Sequence, residues 1–146
     1  MRIGLLECGR KKRAVKSKAK DLYISPYFLK GRRYVERCYD KWFILSAKHR
    51  LLNPETEIEP YDETLKEKSA EARRLWSAET FSQIKKELVE PEKYELFFHA
   101  GKEYRHYLIP LCEKGGYKCH TPLKGKRIGE QQQIYNEYNE KKLSLM

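Results

Sequence analysis

The feature that most limits what this chain can fold into is a fourfold alternation. Short apolar runs stand at residues 2–8 (RIGLLEC), 42–48 (WFILSAK) and 94–100 (YELFFHA), and a weaker strand segment at 117–123 (YKCHTPL), each followed by a longer segment with helix signals. A strand buried on both faces reads as a continuous run of apolar, β-branched and aromatic side chains. Strands that alternate with helices rejoin their sheet in parallel through crossovers, which puts helices on both faces. The expected architecture is α/β: one domain over residues 1–146, a three-layer sandwich with a small, mostly parallel, Rossmann-like sheet of about four strands.

Local signals place the helices. Ser25-Pro26 reads as an N-cap followed by proline at the first helical position, and Phe28, Val35 and Cys38 or Tyr39 share a face out to about Tyr39. Trp76, Ser77 and Phe81 predict a helix capped at Ser77 with a hydrophobic staple, preceded by a turn from Ser69 and ended before Pro91. Gly101 opens a helix presenting Tyr104, Leu108, Leu111 and Cys112, which Gly115-Gly116 stops; a last helix begins near Ile128. Residues 9–24 and the stretch holding Pro54 and Pro60 read as loops.

Charge narrows the function. Residues 1–50 hold fifteen Lys and Arg against four Asp and Glu, whereas the remaining 96 hold sixteen against seventeen. The whole net charge of +10 therefore sits in the first third, which predicts a phosphate-rich partner, a nucleic acid or nucleotide. Cys8, Cys38, Cys112 and Cys119 lack C-x-x-C spacing, so reduced thiols are expected, with no metal and no cofactor. No run approaches the ~18 apolar residues of a membrane span. The N-terminus is too short in apolar length for a signal peptide, so a cytoplasmic protein with no membrane partner is expected.

In an open parallel sheet the ligand sits beyond the carboxyl ends of the strands. Gly9, Arg10, Lys11, Lys12 and Arg13 follow the first run, where backbone N–H groups and cations can cradle phosphate. Strand alternation puts Ser46 and Lys48 on one side; Lys48 would neutralise developing charge and His49 act as general acid or base. Asp62, in a proline-bounded segment, is a base, nucleophile or stabiliser of an oxocarbenium-like centre, and is expected within hydrogen-bond reach of His49, favouring the imidazolium. Cys8 is a candidate nucleophile if its basic neighbours lower its pKa, and otherwise a small buried hydrophobe. Tyr61 is placed to stack on a base, His99 and Tyr104 bracket the third strand end, Gly101 permits close approach, and Gln131 and Gln132 can read a base edge. Cys8, Lys48, His49 and Gly101 are expected to share one concave pocket.

Several segments then carry a resemblance in order: Cys8–Lys12 to a C-G-K-K-K start, Asp21–Ser25 to D-L-Y-x-S, Trp42–Leu52 to W-Y-I-L-S-A-K-H-G-L-L, Pro60–Leu65 to P-Y-D-x-T-L, Ala100–Tyr104 to A-G-x-x-Y, and Gly125–Gln132 to G-x-x-I-G-x-x-Q. Together they resemble a domain family of uncharacterised function found in bacteria and their phages, distantly similar to the YaaA peroxide-stress family, whose members are described as nucleic-acid-binding. Tyr23 joins the ligand-binding set through the second motif. Arg10 stands for a lysine and Arg50 for a glycine, so the resemblance implies that Arg50 narrows the site or adds a phosphate contact. Three functions remain open: an enzyme acting on a nucleobase or its glycosidic bond, a DNA- or RNA-binding module without catalysis, and a small-nucleotide binder.

Overall fold

A computed structural model describes residues 1–144, with side chains to residue 140. The elements follow as β1 (Arg2–Glu7), β2 (Ser17–Lys18), α1 (Ala19–Leu22), α2 (Pro26–Cys38), β3 (Lys41–Ser46), β4 (Arg50–Leu52), β5 (Glu57–Ile58), α3 (Ala70–Glu87), β6 (Glu95–His99), α4 (Lys102–Arg105), α5 (Leu108–Lys114), β7 (Lys118–His120) and α6 (Ile128–Ser144). The main sheet has five strands in the order β4-β3-β1-β6-β7. Its β3, β1, β6 and β7 pairings are parallel, and β4 adds an antiparallel edge through a hairpin from β3. The mostly parallel α/β sandwich read from the sequence is the one observed.

Period-two burial explains the two helical layers. Ile3, Leu5, Phe43, Leu45, Leu96 and Phe98 point into one core, shared with Trp76 and Ile84 of α3 and with Leu108 and Cys112 of α5. Leu6, Ile44 and Phe97 point into the other, shared with Phe28 and Val35 of α2. Helix α6 packs on α2 and so completes that layer. Among the described residues no helix is long and apolar enough to cross a membrane.

Several local expectations are corrected. Helix α3 starts at Ala70 and not after Ser77: Ser69 is the N-cap, its hydroxyl accepting from the Ala72 N–H at 3.1 Å. Trp76 is no staple, because its indole reaches across the core to donate to the Ser46 carbonyl at 2.9 Å. The helix expected after Gly101 is broken into α4 and α5, since Pro110 lacks the N–H and would crowd the carbonyl of His106 in a continuous helix. The second of the four expected strands, β3, ends at Ser46, because Ala47–His49 form the turn into β4, and the last strand stops at His120 short of Pro122. The segment 9–24 is not all loop: Ser17 and Lys18 pair with Ile58 and Glu57, and α1 buries Ala19 and Leu22.

Candidate functional site

The chain leaves β1 through α2 to β3 on one side, then crosses to β6 on the other. Connections from β1 and β6 therefore diverge to opposite faces and leave a crevice between their carboxyl ends. A cleft of about 350 Å³ lies there, within the range of roughly 300–1,000 Å³ common for small ligands. Glu7, Cys8 and Gly9 supply one wall, and Gly101, Glu103 and Tyr104 the other.

Glu7 ends β1, and its Oε1 accepts the Gly101 N–H at 2.7 Å. A Cβ at Gly101 would stand 3.2 Å from Glu7 Oε1 and 3.0 Å from Glu103 Oε2, so glycine is what lets the two carboxylates approach over the chain. Burial pushes the Glu7 carboxyl above its ordinary 4.5, and Glu103 pushes the same way. The Gly101 N–H and the charges of Lys66 and Arg105 oppose this without cancelling it. Arg10 and Lys66 line the mouth with Glu63, so the cleft mixes both signs of charge.

Behind this wall lies a chain of hydroxyls. Cys8 Sγ is 3.6 Å from the Tyr104 hydroxyl, Tyr23 and Tyr61 share a hydrogen bond at 2.5 Å, and Tyr61 meets Ser46 Oγ at 2.8 Å. Burial raises Tyr104, Tyr61 and Tyr23 well above the usual phenol range, so these groups are neutral donors. Cys8 is likewise pushed up by burial, which outweighs the hydrogen bonds from Ala47 and Tyr104. Its basic neighbours do not make it a thiolate; it is a neutral thiol at the cleft wall.

Of the residues chosen from sequence, Cys8, Gly9, Arg10, Gly101, Tyr104 and Gln131 line the cleft. Lys48 and His49 do not, so the expected four-residue grouping reduces to Cys8 and Gly101. Ser46 is fully buried, and its hydroxyl accepts from the N–H groups of His49 (2.9 Å) and Lys48 (3.3 Å), which fixes the turn. The His49 ring stands edge-on to Tyr61 with centroids 5.6 Å apart. No hydrogen bond joins it to Asp62 among the described residues, and burial with Lys48 and Arg50 lowers its pKa, the reverse of the imidazolium expected. Asp62 is exposed, although Tyr61 beside it turns inward to Ser46 and Tyr23.

Other side chains have structural partners. His99 is 2% exposed, held between the hydroxyls of Tyr39 (2.6 Å) and Tyr135 (2.8 Å), and burial lowers it to about 4. Tyr23 is fully buried. Gln132 accepts from Lys30 at 3.2 Å in the α2–α6 contact and does not line the cleft, while Gln131 accepts from Tyr27. Arg50 has φ 65° and pairs with Glu79 at 3.1 Å, so its guanidinium is held by α3. In the basic loop, Arg10 pairs with Glu67 at 2.9 Å, and Lys12 lies 4.5 Å from the Tyr61 ring centroid; Lys11 and Arg13 are exposed.

Sequence reasoning missed Glu7, Glu103 and Lys66. Glu7 had a signal: it is the one charged residue between Ile3 and Cys8 in an otherwise apolar run. Among the described residues no group of three or more His, Cys, Asp and Glu could hold a metal ion.

The chain is 30% identical over 157 aligned positions to the uncharacterized protein YfjM of Bacillus subtilis (strain 168), covering 99% of each. No solved structure matches it. The model of a family of unknown function, DUF6884, matches residues 3–137, and the chain belongs to that family.

Proposed function

We propose that this protein processes a nucleotide or nucleic acid by acting on the glycosidic bond, with Glu7 and Glu103 as the working carboxylates. The observation that carries this reading is the pair itself: two carboxylates whose oxygens lie 3.2 and 3.0 Å from where a Gly101 Cβ would stand, in a crevice at the diverging strand ends, one of them raised by burial. Paired carboxylates in unlike surroundings divide acid and charge-stabilising roles. Glu7, protonated more readily than an ordinary carboxyl, delivers a proton to the departing base. Glu103 faces the positive charge that develops at the anomeric carbon. Water, or another nucleophile in a transfer reaction, adds to that carbon and gives its proton to the carboxylate Glu7 leaves behind. His49 and Asp62 have no part in this scheme, because their positions lie outside the cleft. The basic loop and the resemblance to the nucleic-acid-binding YaaA family support a phosphate-bearing substrate.

The test is a mass-spectrometric screen for released base from nucleosides, nucleotides, and single- and double-stranded DNA and RNA, with the parent, Glu7→Gln and Glu103→Gln. The expected result is base release by the parent, and a fall of about 100-fold or more in either variant with binding retained. Binding without base release by the parent would leave a non-enzymatic nucleic-acid or nucleotide binder as the function.

A further inference from the structure

Glu7, Glu63 and Glu103 outnumber Arg10 and Lys66 in lining the cleft, and Arg10 is paired with Glu67, so the cleft is a poor seat for a phosphate. A second cavity, about 210 Å³, opens beside it past the ends of β6 and β7. Gly101 and Gln131 line both, so the two are adjoining. The second cavity is lined by four cations, Lys102, Arg105, Lys124 and Lys126, and by no carboxylate. Among the described residues none of the four forms an ion pair. The Gly9–Arg13 loop was the phosphate cradle expected from the sequence, yet Arg10 there is drawn to Glu67 and Lys12 to the tyrosine rings.

The local backbone suits the role. Thr121–Lys126 turns sharply, with Lys124 N–H donating to the Thr121 carbonyl and Lys126 N–H to the Leu123 carbonyl. Gly125 adopts φ 83° with nothing within 4 Å of where a Cβ would lie, so the turn and not crowding calls for glycine. Gln131 Nε2 donates to the Lys126 carbonyl at 2.9 Å, tying this loop to α6. Arg105 lines the second cavity, and its charge favours the ionised form of Glu7 in the first.

We infer that this second cavity is the phosphate subsite, seating a sugar-phosphate ester so that its ribose reaches over Gly101 to the carboxylates. The inference rests on the glycosidic reading for what lies in the first cleft, but the phosphate site stands on its own cavity and charges. The substrate class is a nucleoside phosphate, either a free monoester or one phosphodiester of a strand.

The experiment titrates the isotope-labelled full chain with inorganic phosphate, ribose 5-phosphate and a dinucleoside monophosphate, following backbone amides by NMR. Saturable shifts are expected at residues 101–105 and 121–126. The double substitution Lys124→Gln with Lys126→Gln, both exposed, should weaken ribose 5-phosphate about tenfold or more, as expected when charge-assisted hydrogen bonds are removed. Lys85→Gln with Lys86→Gln, both exposed in the last turn of α3, should leave that affinity within about twofold, as for remote exposed charges. Tighter binding of the monoester assigns the subsite to free nucleotides and tighter binding of the dinucleoside to a strand; either supports it while the two lysines are required. Shifts confined to residues 9–13, or unchanged affinity in the lysine variant, overturn it. Phosphate binding does not need Glu7, so lysine-dependent binding in a parent that releases no base would sink the glycosidic reading alone.

Discussion

Glu7 stabilises little that a neutral side chain would not stabilise better. Its one hydrogen bond, from the Gly101 N–H, is equally open to a glutamine oxygen. Burial holds its carboxyl above 4.5, so the folded chain binds this proton more readily than the unfolded chain does. A group raised in this way contributes stability below its unfolded value and loses it as pH rises through the folded value. At neutral pH Glu7 therefore leaves the fold weaker than a neutral side chain would. Glu7→Gln is expected to melt at a higher temperature than the parent at pH 7, with the difference shrinking toward pH 4; paired thermal scans would show this. A variant that melts no higher at pH 7 would mean that Lys66 and Arg105 offset the burial in full. A carboxylate held against stability in a cleft points to chemistry. Its place was legible in the sequence, since a charge at the end of a buried run has few structural uses, but treating residues 2–8 as one apolar unit hid it. Asp62 was favoured instead because local patterns do not encode where a proline-bounded loop will travel.

At the level of elements, most of the fold was legible because each buried strand is a run that only one kind of element explains. Helix starts were harder. Ser69 and Ser77 both precede plausible helical stretches, and the staple suggested by Trp76 and Phe81 favoured the wrong one; only the path of Trp76 to Ser46 across the core decides it. Ser69→Ala should cost about 1 kcal/mol, the usual worth of an N-cap. Ser77→Ala should cost nothing or stabilise, because the Ser77 hydroxyl is buried without a partner among the described residues. Chemical denaturation of both variants checks the pair, and the opposite order would move the cap to Ser77. His99 is a second junction, joining β6 to Tyr39 at the end of α2 and to Tyr135 of α6. Its pKa of about 4 lies below the unfolded value of 6.5, so the unfolded chain binds the extra proton. The stability from neutral His99 is present above pH 6.5 and disappears as pH falls toward 4, by roughly 3 kcal/mol in all. His99→Gln should flatten the profile of unfolding free energy across that window; an unchanged slope would place the acid sensitivity elsewhere.

On the scale of the whole molecule, the charge asymmetry of the sequence is partly cancelled by folding. Glu55 meets Lys18 and Lys20, Glu67 meets Arg10, Glu79 meets Arg50, and Glu87 meets Lys41, so acids of the later chain return to bases of the first third. A count along the chain cannot foresee this, because pairing depends on which loops and helices become neighbours. The exposed cations of the basic loop that take part in no ion pair among the described residues are Lys11, Arg13 and Lys16. If a strand runs across the mouth of the cleft, these three meet its phosphates, and each neutralised phosphate releases a condensed counterion. Converting all three to glutamine should weaken binding of single- or double-stranded DNA and lower the slope of log affinity against log salt by about one unit for each phosphate no longer neutralised. Glutamine at Lys18, Lys20 and Lys41 removes equal charge from cations already held by Glu55 and Glu87, and should change the slope far less. Equal slopes for the two triple variants would show that only net charge matters. A footprint would then be excluded, and the attraction would belong to the field of the molecule as a whole.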